Sequence, residues 1–551
     1  MLQARRRDWE DVWEDIVSYV VPWRTGFTDD SPKQGQRHDD LIYDGTPLAA
    51  LENYASGMQG YLLSAHQNWF GIEPENERLS QDRQSRMWLA YVERVMYSLF
   101  LRSNFYRAMH EMFKDGGGPG TATLYTEAIP ERKSVWFSCR HPREIYCFHN
   151  KREDVTVTDR YYRMTNSQIL EAWAKDKDAT LDDSFATNFD KNPYAEHFIL
   201  HTVRERKDYD PKKEDKTGKR FESVYIDMEH KAVVKEEGYR SNPYNVWRNE
   251  RSSDEDYGRG PGWRALADVI SLNQYVKTDV TAAQLRVNPP LNIPEEQAGD
   301  VEWFPGGRNY YSELNRWVNP SETRIDLRAG LDREERKQKI IERHYLVDFF
   351  LMMANAEKEM TAQEVRRRTE EKAIMLGPVI TGLNQDVLEP LISRVYALAI
   401  EMKLIPPAPD QLVKFGGSLQ IVYKGPLVQA QESFFQQEPY RRTLQDIAGL
   451  LLMDKSGTTY KILDNFDWDY WARSLAKSNG LPEEVLIEDK IVQQARQQRA
   501  QQQAQDQQAA QLQTIGRAAP GLGKAPEEGS ILDGMAKQGA RQQGQPQQGA
   551  A

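Results

Sequence analysis

Residues Met360–Tyr396 read MTAQEVRRRTEEKAIMLGPVITGLNQDVLEPLISRVY. The stretch opens as a surface helix and continues as an apolar one. Thr361 followed by Glu364 forms a capping box, each side chain serving an orphan amide of the first turn. Arg366–Glu370 and Arg367–Glu371 stand four apart and support an exposed face. From Leu376 the apolar residues recur at three-four spacing through Val379, Ile380, Leu383, Val387, Leu388, Leu391, Ile392 and Val395. Pro378 and Pro390 each remove an amide donor, so the helix bends or restarts there. With no His and no Cys, the stretch is architectural. Its apolar stripe is core, and its length suits a shape built around an axis.

Upstream, the first third is helical in pattern. Trp9, Val12, Trp13, Ile16, Val17 and Val20 repeat at helical spacing and Pro22 ends the run. Further helices are predicted over 47–65 and 82–101, and DGGGPG at Asp115–Gly120 breaks the chain. The period then changes to two. TATLYTEAI, SVWFSCR, EIYCFHN and DVTVTDRYYRM predict strands, followed by a short helix near 167–174. EHFILHTVRERK, FESVYIDME and KAVVKEE form a second strand block, and YGRGPG at Tyr257–Gly262 marks a boundary. A helix over 263–287 ends at NPP. Long helices are predicted over 332–354 and 361–402, joined by NAEKEM, with PPAP at Pro406–Pro409 closing that unit. Others fall near 426–453, 468–478 and 482–513. Beyond Gly516 the Gly- and Gln-rich tail cannot bury enough apolar surface to offset its ordering entropy. The fold class is α+β, mainly helical.

At 551 residues the chain can bury a large core. Its two cysteines, Cys139 and Cys147, make no disulfide framework, so a reducing compartment is expected. The N-terminus is too charged for a signal peptide. No run approaches the roughly 18 apolar residues of a membrane span, so a soluble chain with no membrane contact is expected. Lys plus Arg number 72 against 83 Asp plus Glu, a net charge of −11. That argues against tight nonspecific clamping of nucleic acid, which needs basic surface. It leaves room for a surface past which DNA moves without sticking.

The motifs of chemistry are missing. No G-x-x-x-x-G-K-[ST] occurs, so there is no P-loop, and TGKR at Thr217–Arg220 is a turn between strands. HEMFK at His110–Lys114 lacks the second His of a metalloprotease helix, and there is no G-x-S-x-G. Cys139, His141, Cys147 and His149 are the weak metal candidates. Each pair is two apart on a strand, and a hairpin could bring four soft ligands together. Their spacing is not a recognised zinc pattern and Pro142 lies in the turn, so neighbouring strands with incidental Cys and His are the reading. DNFDWDYW offers Asp464, Asp467 and Asp469 without the glycine and glutamate of a calcium loop; Asp467 reads as a helix cap. No catalytic residue, cofactor or metal is expected.

Along about Arg5 to Arg499 the sequence resembles the head-to-tail connecting (portal) proteins of short-tailed bacteriophages. The residues that carry this are RRDWEDVWEDIVSYVVPWRTGF, LIYDGTPLAALENYASGMQGYLLSAHQNWFGI, DVTVTDRYYRMTNSQI, YGRGPGWRALADVISLNQ, the Met360–Tyr396 stretch, IPPAPDQL, IVYKGPLVQAQ and NFDWDYWARSLAKSNGLPEEVL. The resemblance implies a ring, usually of twelve subunits, at one capsid vertex of the virion, made in the host bacterial cytoplasm. Double-stranded DNA would be packaged and ejected through its axial channel. Terminase, capsid and scaffold proteins, then tail adaptor and nozzle proteins, would be its partners.

It further implies the portal layout of wing, stem, clip and crown. By position, 1–195 would be wing and the start of the stem, 196–257 a strand-rich clip, and 258–330 the second stem helix and return to the wing. Residues 331–405 would carry the long wing and crown helices. The DNA-channel loop would fall near 355–360, with Asn355, Glu357, Lys358 and Glu359. Residues 406–515 would be helical crown with a C-terminal helix or barrel, and 516–551 a disordered tail. Two other readings stay open at this point. One is a DNA-packaging enzyme, a nuclease rather than an ATPase; the other is a different virion structural protein such as a tail adaptor or scaffold.

Overall fold

The computed structural model describes residues 2–24, 26–27, 39–76, 79, 82–213, 215–287, 291–292, 319–320, 327–354, 376–414, 419–425, 443, 447, 467–478 and 489–517. The chain forms two compact units, 1–453 and 454–551. Helix and strand are mixed, as the periodicities predict.

In the first unit, α1 (Leu2–Val20) buries Trp13, Ile16, Val17 and Val20, and Pro22 starts a separate short turn. α2 (Thr46–Leu62) carries Pro47 in its first turn, where the missing N–H costs nothing. α3 (Arg83–Arg102) is capped by Asp82, whose carboxylate accepts from the Ser85 amide at 2.9 Å. α4 (Phe105–Gly117) was not anticipated. The helix runs into the glycines of DGGGPG before ending, because Phe105, Met109, Met112 and Phe113 bury one face and hold it together. Tertiary packing here overrides the helix-breaking tendency of Gly.

Strands follow. β1 (Phe70–Pro74) pairs with a late strand, β12 (Leu419–Tyr423). β2 (Thr121–Ile129), β3 (Ser134–Arg140) and β9 (Tyr244–Arg248) form an antiparallel sheet of order β3-β2-β9. β4 (Ile145–His149), β5 (Val155–Thr165), β6 (Glu196–Glu205), β7 (Phe221–Asp227) and β8 (Ala232–Tyr239) form a second sheet in sequence order. The division expected at 195/196 runs between β5 and β6, which pair from Val157↔Arg204 to Thr165↔Glu196. β4 and β5 of the first strand block therefore share one sheet with the second block, while β2 and β3 stay in the sheet with β9. α5 (Asn166–Trp173), opened by the Thr165/Gln168 capping box, and α6 (Asp183–Lys191) cover one face of this sheet. Ile169, Trp173, Phe185, Ile199 and Val234 pack between them.

α7 (Pro261–Val287) leads back into the helical body, and Leu291–Asn292 (β10) pairs with Asn319–Pro320 (β11). The helix predicted over 332–354 is two: α8 (Leu327–His344) and α9 (Val347–Ala354). Leu346 between them is left-handed, φ 57°, while Tyr345 is fully buried against Tyr54. Of the opening stretch, α10 (Gly377–Leu383) and α11 (Glu389–Glu401) are joined by a π-helical segment, Asn384–Leu388. Pro378 stands in the first turn of α10 and Pro390 in the first turn of α11, where the backbone stays helical and passes through the π segment without a break. In the π segment the Glu389 amide reaches back to the Asn384 carbonyl, one residue further than an α bond. The following Pro390 has no amide to place. The Thr361–Glu364 capping box, the Arg366–Glu370 and Arg367–Glu371 pairs and Asp464 lie outside the described residues. So do the helix near 426–453, apart from Thr443 and Ile447, and the tail beyond 517. α12 (Asp410–Lys414) follows the PPAP segment.

The main core draws on nearly the whole first unit, from Trp13 to Leu412. In the second unit, α13 (Trp468–Ser478) is capped by Asp467, whose carboxylate accepts from the Asp469 and Tyr470 amides at 3.1 and 3.0 Å. α14 (Asp489–Arg517) is exposed throughout the residues whose burial is described, apart from Val492 and Ala495. Among the described residues no helix is long and apolar enough to cross a membrane.

Candidate functional site

The two glycine-rich segments that punctuate the sequence meet in space. DGGGPG is where the strand-bearing excursion leaves the helical body and YGRGPG is where it returns. Gly120, at φ +93°, lies so close to Gly260 that a Cβ on it would sit 2.2 Å from the Gly260 amide nitrogen. A Cβ on Gly260 would sit 2.5 Å from the Gly116 carbonyl oxygen. Only glycine permits this backbone-on-backbone contact.

Polar groups then lock the seam. The Asn249 amide donates to the Gly120 carbonyl at 3.0 Å, and its side chain donates to the Gly116 carbonyl at 3.0 Å. The Gly258 amide donates to Thr121 Oγ1 at 2.9 Å. The indole N–H groups of Trp13 and Trp263 both donate to the Pro119 carbonyl, at 3.1 and 2.9 Å. Trp9, Trp13, Tyr257 and Trp263 pack edge-on or tilted at centroid separations of 5.1–5.9 Å.

Buried arginines tie the strands to the helices. Arg394, from α11, donates to the Thr126 carbonyl with two of its nitrogens and to the Ser241 carbonyl with the third. It also stacks over Tyr239. Arg248, at the end of β9, meets Asp386 of the π segment at 3.6 Å and donates to the Glu153 carbonyl. Arg6 donates to the Arg143 and Ile145 carbonyls and lies over the Tyr146 ring. A guanidinium holds its N–H donors in a fixed planar fork, so it satisfies several carbonyls at once. The carbonyls these arginines serve lie 95 to 268 residues away, and Arg6 also pairs with Glu10, one helical turn on, at 2.6 Å.

The four metal candidates are kept apart. β3 pairs with β2 and β4 with β5, so the hairpin that would have gathered them does not form. Cys139 Sγ–H donates to Asp115, which also holds Arg24 at 3.1 Å. Burial and that neighbouring carboxylate push the Cys139 thiol well up, away from the thiolate a metal needs. His141 accepts from the Arg143 amide through Nδ1 and contacts the Arg24 carbonyl through Nε2. Burial and the charges of Arg24 and Arg143 push it down to about 3. Cys147 donates to the Asp256 carbonyl and is pushed up to about 12 by burial. His149 contacts Asp256 at 2.7 Å, and Arg5 holds the other oxygen of that carboxylate at 3.0 Å. Among the described residues no group of three or more His, Cys, Asp or Glu is placed to hold a metal. Asn355, Glu357, Lys358 and Glu359 lie outside the described residues.

One arrangement escaped the sequence reading. Ser184 Oγ lies 3.3 Å from His230 Nε2, and His230 Nδ1 contacts Asp227. The order is that of a nucleophile, base and carboxylate. The amides that would stabilise an oxyanion there are spent: those of Ser184 and Phe185 donate to the Asp182 side chain and carbonyl at 2.8 and 3.1 Å. The trio caps α6.

What this geometry defines is a scaffold: a helical body and a strand-built excursion, sealed by a glycine seam and fastened by buried arginines. The chain belongs to the bacteriophage head to tail connecting protein family, whose model matches residues 1–486. A relative described as a probable portal protein, from Bordetella phage BPP-1, is 30% identical over 497 residues, 88% of this chain and 87% of that one. The portal protein of Salmonella phage epsilon15 is 27% identical over 509 residues, 90% of this chain and 88% of its own.

Proposed function

We propose that this chain is the portal subunit of a tailed phage, a structural conduit and docking platform rather than a catalyst. The observation that carries this reading is the family match over residues 1–486, joined by two relatives named as portal proteins along nearly nine tenths of their own lengths. Copies, twelve by the family resemblance, close into a ring at one capsid vertex, and double-stranded DNA passes through the axis. Residues 196–257 serve as clip, 263–287 as a stem helix, and Asn355, Glu357, Lys358 and Glu359 line the channel. Terminase docks first and tail proteins later replace it.

Physical chemistry is consistent with that role. A conduit for DNA needs few strong phosphate contacts, because each added cation is a salt-dependent hold on the polymer. A chain of net charge −11 offers few. Interlocking the excursion with the helical body gives each subunit a rigid frame, so force applied at one end is transmitted to the other.

Negative-stain electron microscopy with native mass spectrometry tests the reading. Rings with a central hole and a mass near twelve chains are expected. Metal-dependent cleavage of plasmid DNA by pure protein would overturn the non-catalytic assignment. A monomer that forms no ring even with capsid partners would overturn the portal.

A further inference from the structure

Helix α3 (Arg83–Arg102) has two faces of unusual composition. Its inner face buries Trp88, Leu89, Val92, Met96, Leu99 and Phe100. The outer face of such a helix is expected to be polar and mixed in charge. Instead Met87, Tyr91 and Leu101 stand 64%, 42% and 56% exposed. Arg83, Arg94 and Arg102 share that side, at the three-four spacing that places residues along one line. Among the described residues none of the three has an ion-pair partner. The one carboxylate of the helix, Glu93, is turned inward, accepting from the Ile72 amide at 2.6 Å. A chain of net charge −11 therefore carries an acid-free, arginine-and-apolar stripe about 30 Å long, at 1.5 Å per residue.

The opposite stripe lies on another helix of the same unit. On α1, Asp8, Asp11 and Asp15 fall at i, i+3 and i+7 and are exposed. Among the described residues none of these carboxylates has an ion-pair partner. Like charges at this spacing weaken a helix, and these lie beyond the first turn, where the helix dipole would welcome them. Asp8 to Asp15 spans about 10 Å and Arg94 to Arg102 about 12 Å along their axes. The carboxylates can therefore face that pair of arginines. α1 and α3 are not a packed pair within the chain; α1 packs on α7, α2 and β4, and α3 on α4, β1, β3 and α11.

We propose that the arginine–apolar stripe of α3 docks a second copy of this chain through the acidic stripe of its α1. The contact is heterologous, one surface meeting a different one, which is the kind that closes a ring. Charge complementarity selects the acidic copy. The exposed Met87, Tyr91 and Leu101 distinguish the stripe from a phosphate-tracking surface, because a polyanion gains nothing from apolar side chains between the cations. The inference rests on the ring reading and assigns part of its subunit interface.

Charge reversal tests it on the full-length chain, by native mass spectrometry and light scattering at matched concentration. Arg94→Glu with Arg102→Glu is expected to lower the assembled fraction at least about tenfold, and so is Asp8→Lys with Asp15→Lys. All four together restore assembly, because the two stripes have exchanged sign. The thermal midpoint of each monomer stays at the wild-type value, since every altered side chain is exposed. Assembled wild type whose assembly survives either reversal, or is not restored by the fourfold variant, overturns the inference and leaves the ring standing. A wild-type chain that never assembles overturns the ring reading, and this contact with it. Loss of binding to a 30-base-pair duplex, with assembly intact, makes nucleic acid the occupant and also overturns it.

Discussion

Gly120 and Gly260, 140 residues apart in sequence, touch backbone to backbone at the point where the strand-bearing excursion joins the helical body. Gly260→Ala forces a Cβ to within 2.5 Å of the Gly116 carbonyl oxygen. The neighbour is backbone and cannot swing aside, so a loss of about 3 kcal/mol is expected, the upper end of overpacking costs. Gly120→Ala adds the strain of φ +93°. The double variant should cost less than the sum of the two, by about 1 kcal/mol, because the first displacement makes room for the second. Urea unfolding of the two singles and the double reads this directly. Additive costs would show that the seam does not act as one contact.

The Pro119 carbonyl takes two indole donors, from Trp13 and Trp263. Trp263→Phe leaves Trp13 in place and should cost about 1 kcal/mol, the net worth of one hydrogen bond. Trp13→Phe, fully buried, costs more because it also leaves a gap. Removing both leaves a buried carbonyl without either indole donor. The cost of the pair should therefore exceed the sum of the singles, the opposite sign to the glycine cycle.

Arg394 serves the carbonyls of Thr126 and Ser241 and lies over the Tyr239 ring. Arg394→Leu keeps the apolar stem but strands the carbonyls of Thr126 and Ser241, with an expected loss of about 3 kcal/mol. Arg394→Lys should recover less than half, since a single ammonium cannot reproduce the fork. Amide hydrogen exchange is the second readout. Protection of β2 should fall together with that of α11, because the arginine is their shared fastener.

His141 makes stability depend on pH. It is neutral when folded, pushed down to about 3, while in the unfolded chain its ordinary value is about 6.5. Between those values the unfolded chain holds the extra proton. Stability is complete above about pH 6.5 and falls as pH drops toward 3, by about 1.4 kcal/mol per pH unit for one such group. Burial lowers His201 well below its usual value too, so it adds a slope of the same sign. Burial raises Asp115, which gives the opposite slope above the carboxylate range. His141→Gln isolates one share: unfolding between pH 4.5 and 6.5 should be less pH-sensitive in the variant. Equal slopes would mean that His141 is charged in the folded chain.

Much of the fold was legible because it is written in local periods. The three-four spacing of Trp13, Ile16, Val17 and Val20 marked α1, and the alternation in TATLYTEAI and EHFILHTVRERK marked β2 and β6. Asp467 was legible as a cap, because a side chain that serves the next turn needs only its own neighbourhood. α4 was missed since its glycines argue against helix, and only burial of Phe105, Met109, Met112 and Phe113 outweighs them. The break at Leu346 was missed for the same reason: a left-handed leucine is held by its surroundings, not by its type.

By itself, then, the sequence determined the kinds of element, their order, the prolines in the first turns of α10 and α11 and an acidic chain without the motifs of chemistry. The tertiary structure alone decided which segments touch. It closed DGGGPG on YGRGPG, joined β4 and β5 of the first strand block to the second block in one sheet across 195/196, and sent Arg394 to carbonyls up to 268 residues away. It also separated Cys139 and His141 from Cys147 and His149 by pairing their strands with other partners. The physical reason is range. Periodicity and capping are settled within a turn or two of chain, whereas a backbone contact or a buried guanidinium depends on groups that come together only when the whole core is packed.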